Sequence, residues 1–197
     1  MGSGRTRLNH QDCIHYLYKH AVLYKHAVEL GWLPDDPMHK MKRPNVQEQA
    51  PNPMTLVQVK SLFDLDMSLR EQAAIHLLAG HGWRANEPLE ILAGEVRSIS
   101  DNWIWCRGKE RNEPAPLLTE TALLLTRMAD GLNDEQQVFR GERGRDERFG
   151  YEGVRKLVRG LMARAGLTGF TCHNLRDTFA TLVTKESGDL TLGMALM

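Results

Sequence analysis

Cysteine is scarce in this chain, and so is any sustained apolar run. The three cysteines, Cys13, Cys106 and Cys172, are odd in number and far apart. No Cys-x-x-Cys pair exists, which speaks against a structural zinc site and against a disulfide framework. A reducing compartment is the expectation. No window approaches the continuous apolar length that spans a membrane. The first residues, Met1-Gly2-Ser3-Gly4-Arg5, lack the apolar core of a secretory signal. A cytoplasmic location is therefore expected. An excess of charge is missing too, since 25 Lys/Arg meet 25 Asp/Glu. What is present is 42% hydrophobic residues in a chain of 197, enough for one good core or a small domain with an appendage.

The charge balance holds only for the whole. Residues 1–46 carry seven Lys/Arg against four Asp/Glu, and residues 140–176 carry nine against four. The middle, 47–139, carries eight against fourteen. A polyanion responds to a local patch more than to the total. A solvated face of mixed charge is the other reading of the same pattern.

Leu8 to Leu30 reads as a helix, with Gly31 just past its end. Inside it, Leu17-Tyr18-Lys19-His20-Ala21-Val22 is repeated at once as Leu23-Tyr24-Lys25-His26-Ala27-Val28. A six-residue shift turns a helix by about 600°, a net of about 240°, so the copies face different sides. The histidines lack the spacing of a helical zinc pair. Three prolines and several polar residues between Pro44 and Pro53 mark an extended linker. Thr55 and Ser68 open capping boxes of two further helices. Val96 to Cys106 alternates and suggests a hairpin broken at Asp101-Asn102, with Ala115 to Leu118 as a returning strand. Thr119 to Gly131 reads as a helix capped by Thr119, and Asp134 to Gly150 as a polar, Arg-rich loop. Tyr151 to Ala165 is helical, with Val154, Leu157, Val158 and Leu161 on one side and Arg155, Lys156 and Arg159 on the other.

Three stretches carry residues suited to phosphate chemistry. Arg84 follows Gly82 at a helix end, displayed beside Glu87. Lys109 lies at a charged turn, Gly108-Lys109-Glu110-Arg111. His173 and Arg176 stand three apart at the start of a helical run, Thr171 to Thr181, and so share one face. A guanidinium fork beside an imidazole suits a phosphate oxygen. An amphipathic helix with one polar edge is the plainer alternative for that run.

The order Gly82-Trp83-Arg84-Ala85-Asn86-Glu87, then Gly108-Lys109-Glu110-Arg111, then His173-Asn174-Leu175-Arg176-Asp177-Thr178-Phe179-Ala180-Thr181 resembles the tyrosine recombinase (phage integrase) family. The resemblance implies a mainly α fold with a small antiparallel β-sheet. It implies a partial helical core-binding region over 1–44, a Pro-rich linker over 45–54 and a catalytic domain over 55–197. It implies that Arg84 and Arg176 clamp a scissile DNA phosphate, that Lys109 protonates the leaving oxygen, and that His173 assists proton transfer. Double-stranded DNA is the implied partner, bound by an oligomer that is a tetramer in the family's synapse. No metal and no cofactor are implied, because the guanidinium groups supply the positive charge. Association with the nucleoid follows from the same partner.

The sequence departs from the family in three places. Pro88 stands where an aliphatic residue is usual, and Asp177 follows Arg176 where His is common. The family's further His or Trp and its nucleophilic Tyr stand farther along than the 21 residues after Arg176 reach. All four tyrosines, Tyr16, Tyr18, Tyr24 and Tyr151, precede His173. The expectation is a chain truncated before the nucleophile, able to bind and polarise a phosphate. Its alternatives are a non-catalytic DNA-binding regulator, an inactive remnant, or an unrelated helical protein.

Overall fold

The computed structural model describes residues 10–39, 51–108, 111–141 and 149–189. The chain divides into two compact units, Met1–Ala50 and Pro51–Met197. The expected linker lies mostly outside the described residues. So does the final segment after Asp189.

In the first unit, helix α1 runs His10–Glu29. It closes at Gly31, whose φ of +72° lets the Trp32 N–H reach back to the Ala27 carbonyl at 2.8 Å. Val22 is exposed while Val28, its counterpart in the second copy of the repeat, is half-buried. The net rotation between the copies accounts for that difference.

The second unit is mainly helical around one two-stranded antiparallel sheet. Helix α2 (Leu56–Phe63) starts at Thr55 and α3 (Leu69–Ile75) at Ser68, each through a reciprocal capping box, with Gln58 and Glu71 as partners. A single π turn, His76–Gly80, extends α3. A 3-10 turn, Glu87–Glu90, begins with Pro88 in its first turn, where a missing N–H costs nothing. Then follow α4 (Ala93–Arg97), β1 (Trp103–Arg107), β2 (Asn112–Pro116), α5 (Thr119–Ala129), α6 (Tyr151–Arg164) and α7 (Cys172–Ser187). Helix α3 packs against α5 and α6, and α7 packs on the π turn. Between them lie Leu62, Leu77, Leu78, Trp83, Leu125, Phe139, Leu161 and Leu175, all fully buried.

Three expectations are corrected. Val96 to Ile99 is not a strand. Glu95 accepts a hydrogen bond from the Leu92 N–H at 3.0 Å and so caps a short helix, α4, that buries Val96. The hairpin lies downstream, pairing Trp103 with Pro116 and Arg107 with Asn112, while Asp101 and Asn102 turn the chain into it at positive φ. Helix α5 has Leu118 rather than Thr119 at its N-cap, and the Thr119 hydroxyl instead accepts from Asn102 at 3.0 Å. The stretch from Asp134 is also no free loop in its first part. The Val138 N–H bonds the Ile91 carbonyl at 2.9 Å, and Phe139 is driven into the core. Among the described residues no helix is long and apolar enough to cross a membrane.

Candidate functional site

The site begins where the π turn stops. Gly82 has a φ of +65°, a left-handed conformation that glycine adopts without strain. A side chain there would also collide with the Phe179 ring of α7. Trp83 is then carried into the core, with its N–H on the Leu77 carbonyl at 3.1 Å. Arg84 comes next, half-exposed, and its surroundings are set three residues later. Glu87 is 1% exposed, and its two carboxylate oxygens accept from Arg84, one from the backbone N–H at 2.7 Å and one from Nη1 at 3.3 Å. A buried carboxylate so partnered fixes both ends of the arginine.

Helix α7 supplies the second arginine. Thr171 caps it, with Asn174 reaching back to the Thr171 N–H at 2.8 Å. Leu175 and Thr178 form the buried face, and the Thr178 hydroxyl accepts from the Met54 N–H at 2.8 Å. That orientation turns Arg176 toward the π-turn exit, where its Nη1 donates to the Gly82 carbonyl. Burial lowers the pKa of the Arg176 guanidinium, and the neighbouring Arg84 charge lowers it further. Two arginines from segments ninety residues apart therefore share one locality. His173, one turn earlier on α7, is placed differently. Its side chain is 80% exposed, with Nε2 at 3.6 Å from Asp177 Oδ1.

The hairpin closes the other side. A Cβ on Gly108 would lie 2.8 Å from Glu87 Oε1, so only glycine lets the β1 end approach that carboxylate. Lys109 lies outside the described residues. Arg111 is 8% exposed and donates through Nε to Glu113 at 2.8 Å. Its buried Nη1 has no hydrogen-bond partner among the described residues. Cys106 sits in the same neighbourhood, its thiol pushed up to about 12 by burial and then by the Glu87 charge. It is protonated and unreactive at neutral pH.

The result is a concentration of guanidinium around one buried carboxylate. Such an arrangement suits a tetrahedral oxyanion, which can take several charge-assisted hydrogen bonds at once. The structure brings Arg84 and Arg176 together and leaves His173 at the open edge. Arg111, His76, His81 and Thr121 also belong to this region, though the sequence did not single them out. For Arg111 the signal was Gly108-x-x-Arg111, a tight turn that forces the residue back onto the sheet. His81 lies between Gly80 and Gly82 and is bonded to Thr121 on α5, a pairing with no local pattern. Among the described residues no group of three or more His, Cys, Asp or Glu could hold a metal ion.

Known proteins resemble this chain in sequence and in fold. A tyrosine recombinase XerC of Herpetosiphon aurantiacus is 28% identical over 169 residues, covering 79% of this chain and 54% of that protein. A tyrosine recombinase XerD of Oceanobacillus iheyensis is 27% identical over 172 residues, covering 80% of this chain and 57% of its own length. The chain thus spans little more than half of these relatives. The fold is shared with a XerH site-specific recombinase bound to a difH substrate, at a TM-score of 0.69 and 18% identity over 98% of this chain and 60% of that one. It is shared also with an integrase from mycobacterium phage Brujita, at a TM-score of 0.61 and 23% identity over 98% of this chain and 65% of that one. The sequence model of the phage integrase family matches residues 53–197, most of the chain, and the protein belongs to this family of tyrosine recombinases.

Proposed function

We propose that this chain serves site-specific DNA recombination as a phosphodiester-binding catalytic domain. The observation that carries the reading is the pairing of Arg84 and Arg176 around Glu87 and the Gly82 carbonyl. Two guanidinium groups held in this way grip the non-bridging oxygens of a DNA phosphate. They gain strength as charge builds in the pentacoordinate transition state. Removing one such donor costs on the order of 3–4 kcal/mol of transition-state stabilisation. Glu87 holds Arg84 in place rather than doing chemistry. Lys109, from the hairpin turn, is the general acid for the leaving oxygen, and His173 assists proton transfer from the open edge of α7. The exposed Arg155, Lys156 and Arg159 of α6 lie against flanking phosphates. Double-stranded DNA is the partner, and the family's tetrameric synapse is the assembly on it.

The same two-arginine grip holds a phosphate whether or not a cut follows, and so also supports a second reading, a regulator that occupies a DNA site without cutting it.

A mobility-shift titration with mixed-sequence duplex DNA tests the common part. Binding is expected to fall steeply between low and physiological salt, and Arg176→Ala and Arg84→Ala to weaken it about tenfold or more. Equal binding by the arginine variants would overturn the reading. A nicked suicide duplex then separates the two alternatives. A covalent protein–DNA adduct supports strand cleavage, and salt-dependent binding without adduct supports the regulator.

A further inference from the structure

His81, the residue before Gly82, belongs to a polar cluster in which Thr121 touches two imidazoles. The Thr121 hydroxyl is fully buried, 3.0 Å from His81 Nε2 and 3.4 Å from His76 Nδ1. A hydroxyl has one proton to give and two lone pairs to receive, so it donates to at most one of the rings. The far side of His76 decides which. His76 Nε2 faces Glu120 Oε1 at 4.0 Å. A carboxylate there favours the proton on Nε2 and leaves Nδ1 as an acceptor. The Thr121 O–H therefore donates to His76 Nδ1, and the His81 Nε2–H donates to Thr121. The Phe63 ring meets the His76 ring edge-on at 5.2 Å between centroids and holds its plane.

We propose that His81 is a positioning residue, held by this one-way relay from Glu120 through His76 and Thr121, and that it sets the segment Gly82–Arg84. The backbone after His81 carries the carbonyl that receives Arg176, then the buried Trp83, then Arg84. Anchoring the His81 side chain to α5 fixes where that segment leaves the π turn, and with it both guanidinium groups. The relay needs two neutral rings at physiological pH. Burial supplies them, holding His76 below its ordinary value against the pull of Glu120 and pushing His81 down to about 4. The facing groups are Glu120 from α5, the two histidines themselves, and Arg176 on the Gly82 carbonyl from α7. That the arginines receive a DNA phosphate rests on the function proposed above; the hydrogen-bond direction does not.

Long-range proton–nitrogen spectra of the full 197-residue chain, labelled at histidine nitrogen, test the direction. His76 is expected as the Nε2–H tautomer with a bare Nδ1, and His81 with its proton on Nε2. A proton on His76 Nδ1 at neutral pH would overturn the relay. Positioning is read from the Gly82 amide and the Arg176 Nε–H signals. His81→Phe and Thr121→Val are expected to shift both. His81→Gln, which keeps an N–H at similar reach, is expected to leave both close to the parent. Unchanged signals in His81→Phe would overturn the positioning role. In the duplex titration, His81→Phe is expected to bind about tenfold more weakly and His81→Gln to recover most of that loss. If the parent chain binds no DNA, the proposed function fails while the spectra still decide the relay.

Discussion

Arg176 and His173 stand three residues apart on α7 and live in opposite surroundings. Arg176 is half-buried, bonded to the Gly82 carbonyl and close to a second arginine that a buried carboxylate holds. His173 is 80% exposed, with Asp177 of its own helix at 3.6 Å. One helix thus presents a cation anchored to the π-turn exit beside an imidazole that lies open. The difference fits a division of labour. Charge stabilisation gains from groups that do not have to reorganise. A group that moves a proton must meet the substrate oxygen, and its hydrogen bonds often tighten only in the complex.

The hardest way to break the fixed end is to remove its carboxylate. Glu87→Ala leaves Arg84 without its carboxylate partner and Arg176 without a nearby counter-charge. Loss of one partner from a buried pair is strongly destabilising. Because Arg84 is half-exposed, about 3–4 kcal/mol is expected, at the lower end of the buried-pair range. Urea unfolding at neutral pH measures it. A loss below about 1 kcal/mol would mean that the arginines do not depend on Glu87. Gly82→Ala attacks the same end through the backbone. It combines a left-handed φ with a collision against Phe179, and about 2–3 kcal/mol is expected. Adding Phe179→Ala should return the steric part and leave the backbone part. A strictly additive double mutant would show that the close approach does not limit this position.

The fixed end should also be sensitive to acid in a defined window. His81, ordinarily near 6.5, is held at about 4, so the unfolded chain takes up protons first. The stability from the neutral ring is complete above about pH 6.5, falls as pH drops, and levels off once pH passes the folded value. Between pH 7 and pH 5 the loss is expected to be about 2 kcal/mol, with His76 adding in the same direction. His81→Gln should flatten the His81 share of that slope. An unchanged slope would place the titrating group elsewhere.

The two ends also differed in how far the sequence revealed them. Local chemistry showed through well. Thr55 and Ser68 announced their capping boxes and Gly31 its helix end, whereas the i,i+3 pair of α7 ends in opposite surroundings. The mainly α fold with a small antiparallel sheet came with the family resemblance, and the structure has it. Val96 to Ile99 misled because its alternation suits a strand as well as a short buried helix. The deciding contacts came from Asp134 and Gln136, forty residues on, whose carbonyls receive the Gly94 and Ala93 N–H groups. Phe139 was missed for a similar reason, since a polar neighbourhood hid one core residue. Glu87 was half legible: it stood beside Arg84 in the motif, but its 1% exposure and the approach of Gly108 show how deeply it is enclosed. The relay through Thr121 joins positions forty and forty-five apart, and no local pattern encodes that.

The smallest effect belongs to the open end, and it sharpens the contrast most. His173→Ala removes an exposed ring whose nearest charged neighbour is on the same helix. Surface substitutions of this kind stay within about 0.5 kcal/mol of the parent. Urea midpoints for His173→Ala and the parent should therefore coincide, and mixed-duplex affinity should fall by no more than about threefold. Arg176→Ala, three residues away, should lose both stability and affinity. A His173→Ala variant that unfolds as easily as Arg176→Ala would erase the distinction, since the imidazole would then be a structural part of α7. An affinity loss equal to that of Arg176→Ala at unchanged stability would place His173 on the phosphate in the ground state. The expected pattern instead keeps the imidazole free until a substrate oxygen arrives to orient it.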